Sequence, residues 1–183
     1  RFLKPGPMIT LSLIGIGSGN PDHLTAEATK ALNAADLILI PRKGEAKSDL
    51  ADLRRQILSQ VLTPPVPVAE YDVPTRADRS DYLGAVSDWH DAIARVWSDT
   101  IAAHLPQGGE VALMVWGDPS LYDSTLRIAA RLPRVSVKVI PGITSLQAGV
   151  TKAREGAQSM SSTIGSLAAV LNGLGATHPT ITL

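Results

Sequence analysis

Short apolar runs alternate with longer segments of helical periodicity between residues 8 and 139 of the chain. The apolar runs predict five strands at residues 9–15, 36–40, 66–71, 110–116 and 135–140. Strands that alternate with helices need crossover connections, and such connections join parallel strands. The pattern therefore predicts an α/β fold with a mostly parallel five-stranded sheet flanked by helices.

Four segments have the spacing expected of helices that pack on this sheet. In the first, Leu24, Ala28 and Leu32 share one helical face. Ser48 is predicted to cap the second helix, which extends to residue 61, and Ser80 to open the third, which extends towards residue 104. The fourth is predicted over residues 120–132, and the proline-rich residues 64–67 predict a loop.

The charge balance and the lack of cysteine argue against several classes of function. Seventeen basic residues offset seventeen acidic ones, so no overall field draws the chain to nucleic acid. The chain has no cysteine, which excludes thiolate metal sites and a cysteine nucleophile. The spacing of its histidines suggests no metal site, and no apolar run is long enough to span a bilayer. We expect a cytoplasmic protein without metal or membrane contact.

Three glycine- or proline-containing loops follow three of the predicted strands. Their sequences are Gly-Ile-Gly-Ser-Gly-Asn-Pro-Asp at 15–22, Trp-Gly-Asp-Pro-Ser-Leu-Tyr at 116–122 and Pro-Gly-Ile-Thr-Ser at 141–145. In open α/β sheets the ligand crevice lies beyond the carboxyl ends of the strands, so all three loops are expected to face one region. Taken singly, each loop is equally well explained as an ordinary turn into a helix.

A dinucleotide site is the obvious alternative for the first loop. The G-x-G-x-x-G pattern fails because Asn20 stands where the third glycine is required. The second strand leads into Pro41, Arg42 and Lys43 instead of the acidic residue that binds an NAD ribose, although these cations suit NADP. The alternative stays open as the weaker interpretation.

Together, the motifs Gly-x-Gly-x-Gly-x-x-x-x-Leu-Thr, Gly-Asp-Pro-x-x-Tyr and Pro-Gly-Ile-Thr-Ser resemble the signature loops of the tetrapyrrole methylases. The resemblance implies that S-adenosylmethionine (SAM) binds between two α/β domains, held largely by the main chain of these loops, and leaves as S-adenosylhomocysteine. Ser18 and Asn20 depart from the Pro and Asp of many members. The cofactor-contacting residues implied are Ser18, Trp116, Gly117, Asp118, Leu121, Tyr122, Thr144 and Ser145.

The resemblance also implies a domain organisation. Residues 1–145 correspond to the N-terminal α/β domain of the family. Residues 146–183 are too few for a complete partner domain and are expected to be a smaller or incompletely represented C-terminal α/β domain. A homodimer is implied as well, with an interface that the residues do not identify.

Residues 43–50, 88–90 and 116–128 resemble the branch of the family that methylates C-1 of the corrin precursor precorrin-5 and releases acetate. Two alternatives remain: a sister methylase that acts on another ring carbon, and a non-catalytic nucleotide-binding module. The cationic residues Arg42, Lys43 and Lys47 are predicted to bind the carboxylate arms of this substrate, although a solvated loop is an equally good explanation.

Methyl transfer needs no activated water molecule, but the release of acetate does. Asp118 and Glu45 are the predicted catalytic residues, and Asp123 and His90 are further candidates. A carboxylate in a partly apolar cleft is expected to have a raised pKa, which suits a general base.

Overall fold

The computed structural model describes residues 8–42, 48–78, 80–121 and 124–149, together with residues 156, 158, 161 and 162. Strands and helices alternate along the chain, and a single 3₁₀ turn at Pro21–His23 precedes the first helix. In chain order the elements are β1 (Ile9–Gly15), α1 (Ala26–Asn33), β2 (Leu37–Arg42), α2 (Ser48–Val61), β3 (Val68–Asp72), α3 (Tyr82–His104), β4 (Gly109–Val115), α4 (Thr125–Ala129) and β5 (Val135–Ile140).

The five strands form one sheet in the order β3-β2-β4-β1-β5, and every pairing is parallel. The predicted parallel α/β architecture is confirmed, and the bounds of β1 and β5 agree with the prediction. β2 and β3 begin and end one or two residues later than predicted. β4 ends at Val115, one residue before Trp116.

Both faces of the sheet are covered by helices, which explains why the central strands are almost continuously apolar. Leu11 and Leu13 of β1 point to the face on which α3 and α4 pack. Ile14 of β1 belongs to the opposite face, where residues of α1 and α2 pack. The central strands are therefore fixed in position, and the loops at their carboxyl ends start from a rigid base.

The beginnings of two helices differ from the predictions. α3 is capped by Asp81, whose Oδ1 accepts a hydrogen bond from the Gly84 amide at 3.0 Å, so the prediction of Ser80 was wrong by one residue. α4 begins at Thr125 and not near residue 120. The reason is that the hydroxyl and amide of Ser120 both donate to the carboxylate of Asp118, which forms a turn in place of helix.

The chain divides into two compact units, residues 1–144 and residues 145–183. All nine elements named above belong to the first unit. That the second unit represents part of a C-terminal α/β domain stays a prediction. Within the described ranges, none of the helices combines the length and apolar character needed to cross a membrane.

Candidate functional site

The three glycine-bearing turns meet at the carboxyl ends of β1, β4 and β5. The Gly117 amide donates to the carbonyl oxygen of Gly17 at 2.8 Å, and the two glycines form an isolated antiparallel bridge. The third turn approaches them through Gly142, which lies against both Gly15 and Gly117. The prediction that these loops face one region therefore holds for the main chain of residues 15–17, 117 and 142.

This approach is close enough to exclude side chains. A Cβ built on Gly15 would lie 2.5 Å from the amide nitrogen of Gly142. A Cβ built on Gly142 would lie 2.7 Å from the Cα of Gly15 and closer still to the carbonyl oxygen of Gly117. Glycine is required at both positions because any Cβ would force the loops apart.

Gly117 is required for a different reason. Its φ of +66° lies in the left-handed region that L side chains rarely adopt. Space is not the constraint here, because an added Cβ would make only an ordinary van der Waals contact with the Cα of Thr144 at 3.8 Å. Gly117 is therefore needed for the left-handed backbone of this turn and not for the close approach of the loops.

Asp118 joins two of the turns through its carboxylate. Its Oδ1 accepts hydrogen bonds from the amide of Ser120, at 2.8 Å, and from the Ser120 hydroxyl. Its Oδ2 accepts from the amide of Gly142 at 3.1 Å. Since the side chain is only 9% exposed, the ionised group is stabilised by these donors and holds the second turn against the third.

The same contacts set the pKa of Asp118. Burial acts to raise the pKa, but the hydrogen bonds from the Ser120 hydroxyl, the Ser120 amide and the Gly142 amide together hold it below its usual value. The expected raised pKa is therefore wrong for this carboxylate. A general-base role for Asp118 stays a prediction, and the geometry favours a positioning role.

The remaining described members of the predicted cofactor set that belong to the first unit lie in or beside these turns. Ser18 is exposed, and its Oγ is 3.4 Å from Nδ1 of His23. Leu121 is 51% exposed, and its amide donates to the carbonyl oxygen of Asp118 at 3.1 Å. Thr144 is partly buried beside Gly117. Ser145 is exposed and belongs to the second unit.

Several predicted site residues lie outside the described residues. They are Lys43, Glu45, Lys47, Tyr122 and Asp123. Their assignments as substrate-binding, catalytic or cofactor-binding residues therefore stay predictions.

Arg42, the described member of the predicted substrate-binding cations, is held by acidic residues of β3. Its Nη2 donates to Asp72 at 3.0 Å, and its Nε lies 3.9 Å from Glu70. Glu70 also accepts from Arg55 Nε at 2.7 Å, and this hydrogen bond is the main cause that lowers the pKa of Glu70. Arg42 is the last residue of β2 and not part of the following loop as predicted, and its guanidinium faces two carboxylates.

His90 is buried on α3, with its ring 5.6 Å from that of Trp89. Desolvation is the largest cause that lowers the pKa of His90, and the charges of Arg131 and Arg127 act in the same direction. Burial of this kind favours the neutral imidazole at neutral pH.

A cavity of about 170 Å³, which the sequence did not reveal, lies at the carboxyl ends of β2 and β4. Arg54 of α2 reaches its wall, with its guanidinium 4.6 Å from the centre of the Trp116 ring. Only the strand order could have indicated this place, because its lining comes from six different elements and from loops between them. The described part of the chain contains no group of three His, Asp or Glu side chains arranged to hold a metal ion.

Residues 10–172 match the family of Tetrapyrrole (Corrin/Porphyrin) Methylases. A Precorrin-6A synthase [deacetylating] from Sinorhizobium sp is 45% identical over 148 residues, which cover 77% of this chain and 57% of that protein. A Precorrin-2 C(20)-methyltransferase from Sinorhizobium sp is 35% identical over 138 residues, which cover 73% of this chain and 53% of that protein.

Among solved structures, a cobalamin synthesis related protein (CobF) from Corynebacterium diphtheriae superposes with a TM-score of 0.62 at 39% identity. That superposition covers 81% of this chain and 58% of the other. The chain thus spans little more than half the length of the relatives it matches. The family match extends over most of the sequence and includes all three converging turns, so the chain belongs to the tetrapyrrole methylase family.

Proposed function

We propose that this chain acts in a SAM-dependent C-methyltransferase of cobalamin biosynthesis, which methylates precorrin-5 at C-1 and releases acetate to give precorrin-6A. The 45% identity to a Precorrin-6A synthase [deacetylating] supports this substrate and this reaction. We also propose that the protein is a cytoplasmic homodimer, and this part of the proposal rests on the family resemblance alone.

The observation that carries the proposal is the convergence of the glycine turns. The residues fit SAM because the main chains of three glycine-bearing turns meet here without side chains between them, which suits a nucleoside held by backbone groups. Gly117, Asp118 and Thr144 would hold the cofactor through their main chain, and Ser18, Trp116 and Leu121 would border it. Tyr122 and Ser145 join this set by the family resemblance.

When bound, SAM supplies an electrophilic methyl group, so the protein needs no nucleophile of its own. The task of the chain's residues is to align the two reactants and to exclude water. Asp118 serves this alignment by joining the second and third turns. The apolar side chains of Trp116 and Leu121 border the same region and would limit access of water.

Acetate release requires a base for the attacking water. We propose Glu45 for this role before Asp118, since both oxygens of Asp118 already accept hydrogen bonds within the turns. Arg42, Lys43 and Lys47 are proposed to bind carboxylate arms of the substrate.

The test is to incubate the full chain with precorrin-5 and SAM that carries a ¹³C-labelled methyl group. We expect one ¹³C-methyl carbon on the ring and one acetate for each turnover, followed by NMR. Methylation without acetate would instead favour a sister methylase, which the 35% identity to the Precorrin-2 C(20)-methyltransferase keeps as the second candidate. No methylated product of any tetrapyrrole, despite bound SAM, would contradict the methyltransferase assignment.

A further inference from the structure

The cavity at the carboxyl ends of β2 and β4 lies at a break in the sheet. These two strands pair only as far as Leu39 and Leu113. Beyond that point β2 continues along β3 to Arg42, while β4 continues along β1 to Val115. The two strands therefore separate at their carboxyl ends, and the cavity occupies this region.

The strand order makes this break a preferred place for a ligand. From β2 the chain continues to β3 on one side of the break, and from β4 it continues to β5 on the other. In open α/β sheets, crevices form where the connections of adjacent strands diverge in this way. The topology therefore marks the cavity as a binding site independently of the glycine turns.

Two unpaired donors line the cavity. The Nε1 atoms of Trp97 and Trp116 are buried, and neither has a hydrogen-bond partner among the described residues. Trp97 is only 2% exposed. By contrast, Nε1 of Trp89 donates to the carbonyl oxygen of Pro74 at 2.6 Å. A buried donor without an acceptor has lost its hydrogen bond to water without replacement, so an acceptor that enters the cavity would recover free energy.

The charge in the cavity wall selects the kind of acceptor. Arg54 is 6% exposed, and its guanidinium is oriented by the carbonyl oxygens of Met114, at 3.3 Å, and Leu50, at 3.1 Å. Apolar side chains such as Val73 and Ile128 form much of the remaining wall. A small anion with an apolar body fits such walls better than phosphate, whose second charge is more costly to desolvate.

We propose that this cavity binds a carboxylate group, whose oxygens accept from Nε1 of Trp97 and Trp116 and whose charge is attracted by the nearby guanidinium of Arg54. About 170 Å³ is close to the volume of an engineered protein cavity that holds benzene, so acetate or the end of a propionate arm fits. The inference rests on the proposed function for the origin of the carboxylate: a side arm of the tetrapyrrole, or the acetate that the reaction releases.

The test follows the indole N–H signals of the full chain, labelled with ¹⁵N-tryptophan. The chain has three tryptophans, so three signals are expected, assigned with Trp→Phe variants. Sodium acetate is titrated against sodium chloride at matched ionic strength, and uroporphyrin III, which carries carboxylate arms, is the second probe. No SAM is present, so the result does not depend on methyl transfer or on cofactor binding.

We expect acetate to move the Trp97 and Trp116 signals in a saturable way and the Trp89 signal much less, because that N–H is already bonded. Trp116→Phe should weaken acetate binding by roughly threefold to tenfold, as the loss of one hydrogen bond predicts. Trp89 also lines the cavity, but its N–H is bonded to Pro74 and Phe keeps an apolar wall, so Trp89→Phe should change acetate binding by less than about twofold. A response to uroporphyrin III alone would support the cavity and assign it to a side arm. Equal shifts in chloride, or shifts of all three signals together, would overturn the proposal, as would no response to either probe.

Discussion

Asp118 lies where two of the turns meet, and its two carboxylate oxygens accept hydrogen bonds from both. Asn offers a single acceptor oxygen, so Asp118→Asn leaves either Ser120 or Gly142 facing an amide NH₂ group. We predict that this substitution lowers the free energy of unfolding by about 1–3 kcal/mol, measured by urea denaturation. The control is Asp99→Asn at an exposed position of α3, which should change it by less than about 0.5 kcal/mol. Equal effects of the two would show that the contacts of Asp118 add no stability.

The lowered pKa of Asp118 predicts a pH dependence of stability. A carboxyl group whose pKa is depressed by folding stabilises the folded state fully above its unfolded pKa of about 3.9, and this stabilisation is lost as the pH falls through the folded pKa. The difference in unfolding free energy between the wild type and Asp118→Asn should therefore be constant above about pH 5 and should shrink below about pH 4. A difference that grows as the pH falls would contradict the assigned direction.

Gly142 shows most directly how close the turns are. Its replacement by Ala would place a Cβ against the carbonyl oxygen of Gly117 and the Cα of Gly15. We predict a loss of about 1–3 kcal/mol of stability from this overpacking and at least a tenfold loss of cofactor affinity, because the turns must separate. The control is Gly149→Ala, where an added Cβ meets no atom within 4 Å and both quantities should be retained. Unchanged cofactor binding by Gly142→Ala would separate the cofactor site from these turns.

At the scale of secondary structure, Asn33 connects the ends of two helices on one face of the sheet. Its Nδ2 donates to the carbonyl oxygen of Val61 at 2.8 Å, and its Oδ1 accepts from the amide of Thr63 at 2.7 Å. Its Nδ2 also donates to the carbonyl oxygen of Thr29 at 2.9 Å. Asn33→Ala removes all three bonds, and we predict that it destabilises the chain by about 1–3 kcal/mol. Gln60→Ala, at an exposed position of α2, is the matched control. Equal midpoints of thermal unfolding for both variants would contradict this role.

The alternation of strands and helices was predictable because the buried strands are continuously apolar. The residues at which helices begin were harder to predict, since several neighbouring polar residues are suitable caps for the same helix. Asp81 is chosen over Ser80 for α3 because its carboxylate reaches the Gly84 amide. Ser120 is also a residue type that caps helices, but α4 does not begin there. The hydroxyl and the amide of Ser120 both donate to Asp118 instead. Such competition depends on local geometry that residue type does not determine.

At the scale of the whole molecule, the sequence motifs locate the three glycine-bearing turns, whereas the strand order locates the cavity at the ends of β2 and β4. The three loops were predictable because each follows a strand directly and glycine is needed wherever main chains touch. The cavity was not predictable, because its lining residues are spread along the sequence from Pro41 to Ile128. In the sequence, Trp97 looks like an ordinary core residue of α3. Only the order β3-β2-β4-β1-β5 brings the lining of this cavity together.

Binding of SAM by the main chain around Gly15, Gly117 and Gly142 is the property on which the proposed function depends. Calorimetric titration of the full chain with S-adenosylhomocysteine tests it most directly, with NADP as the competing ligand. We predict one site of micromolar affinity for S-adenosylhomocysteine, weakened at least tenfold in Gly142→Ala and retained in Gly149→Ala. Tight binding of NADP with no heat from S-adenosylhomocysteine would contradict the account.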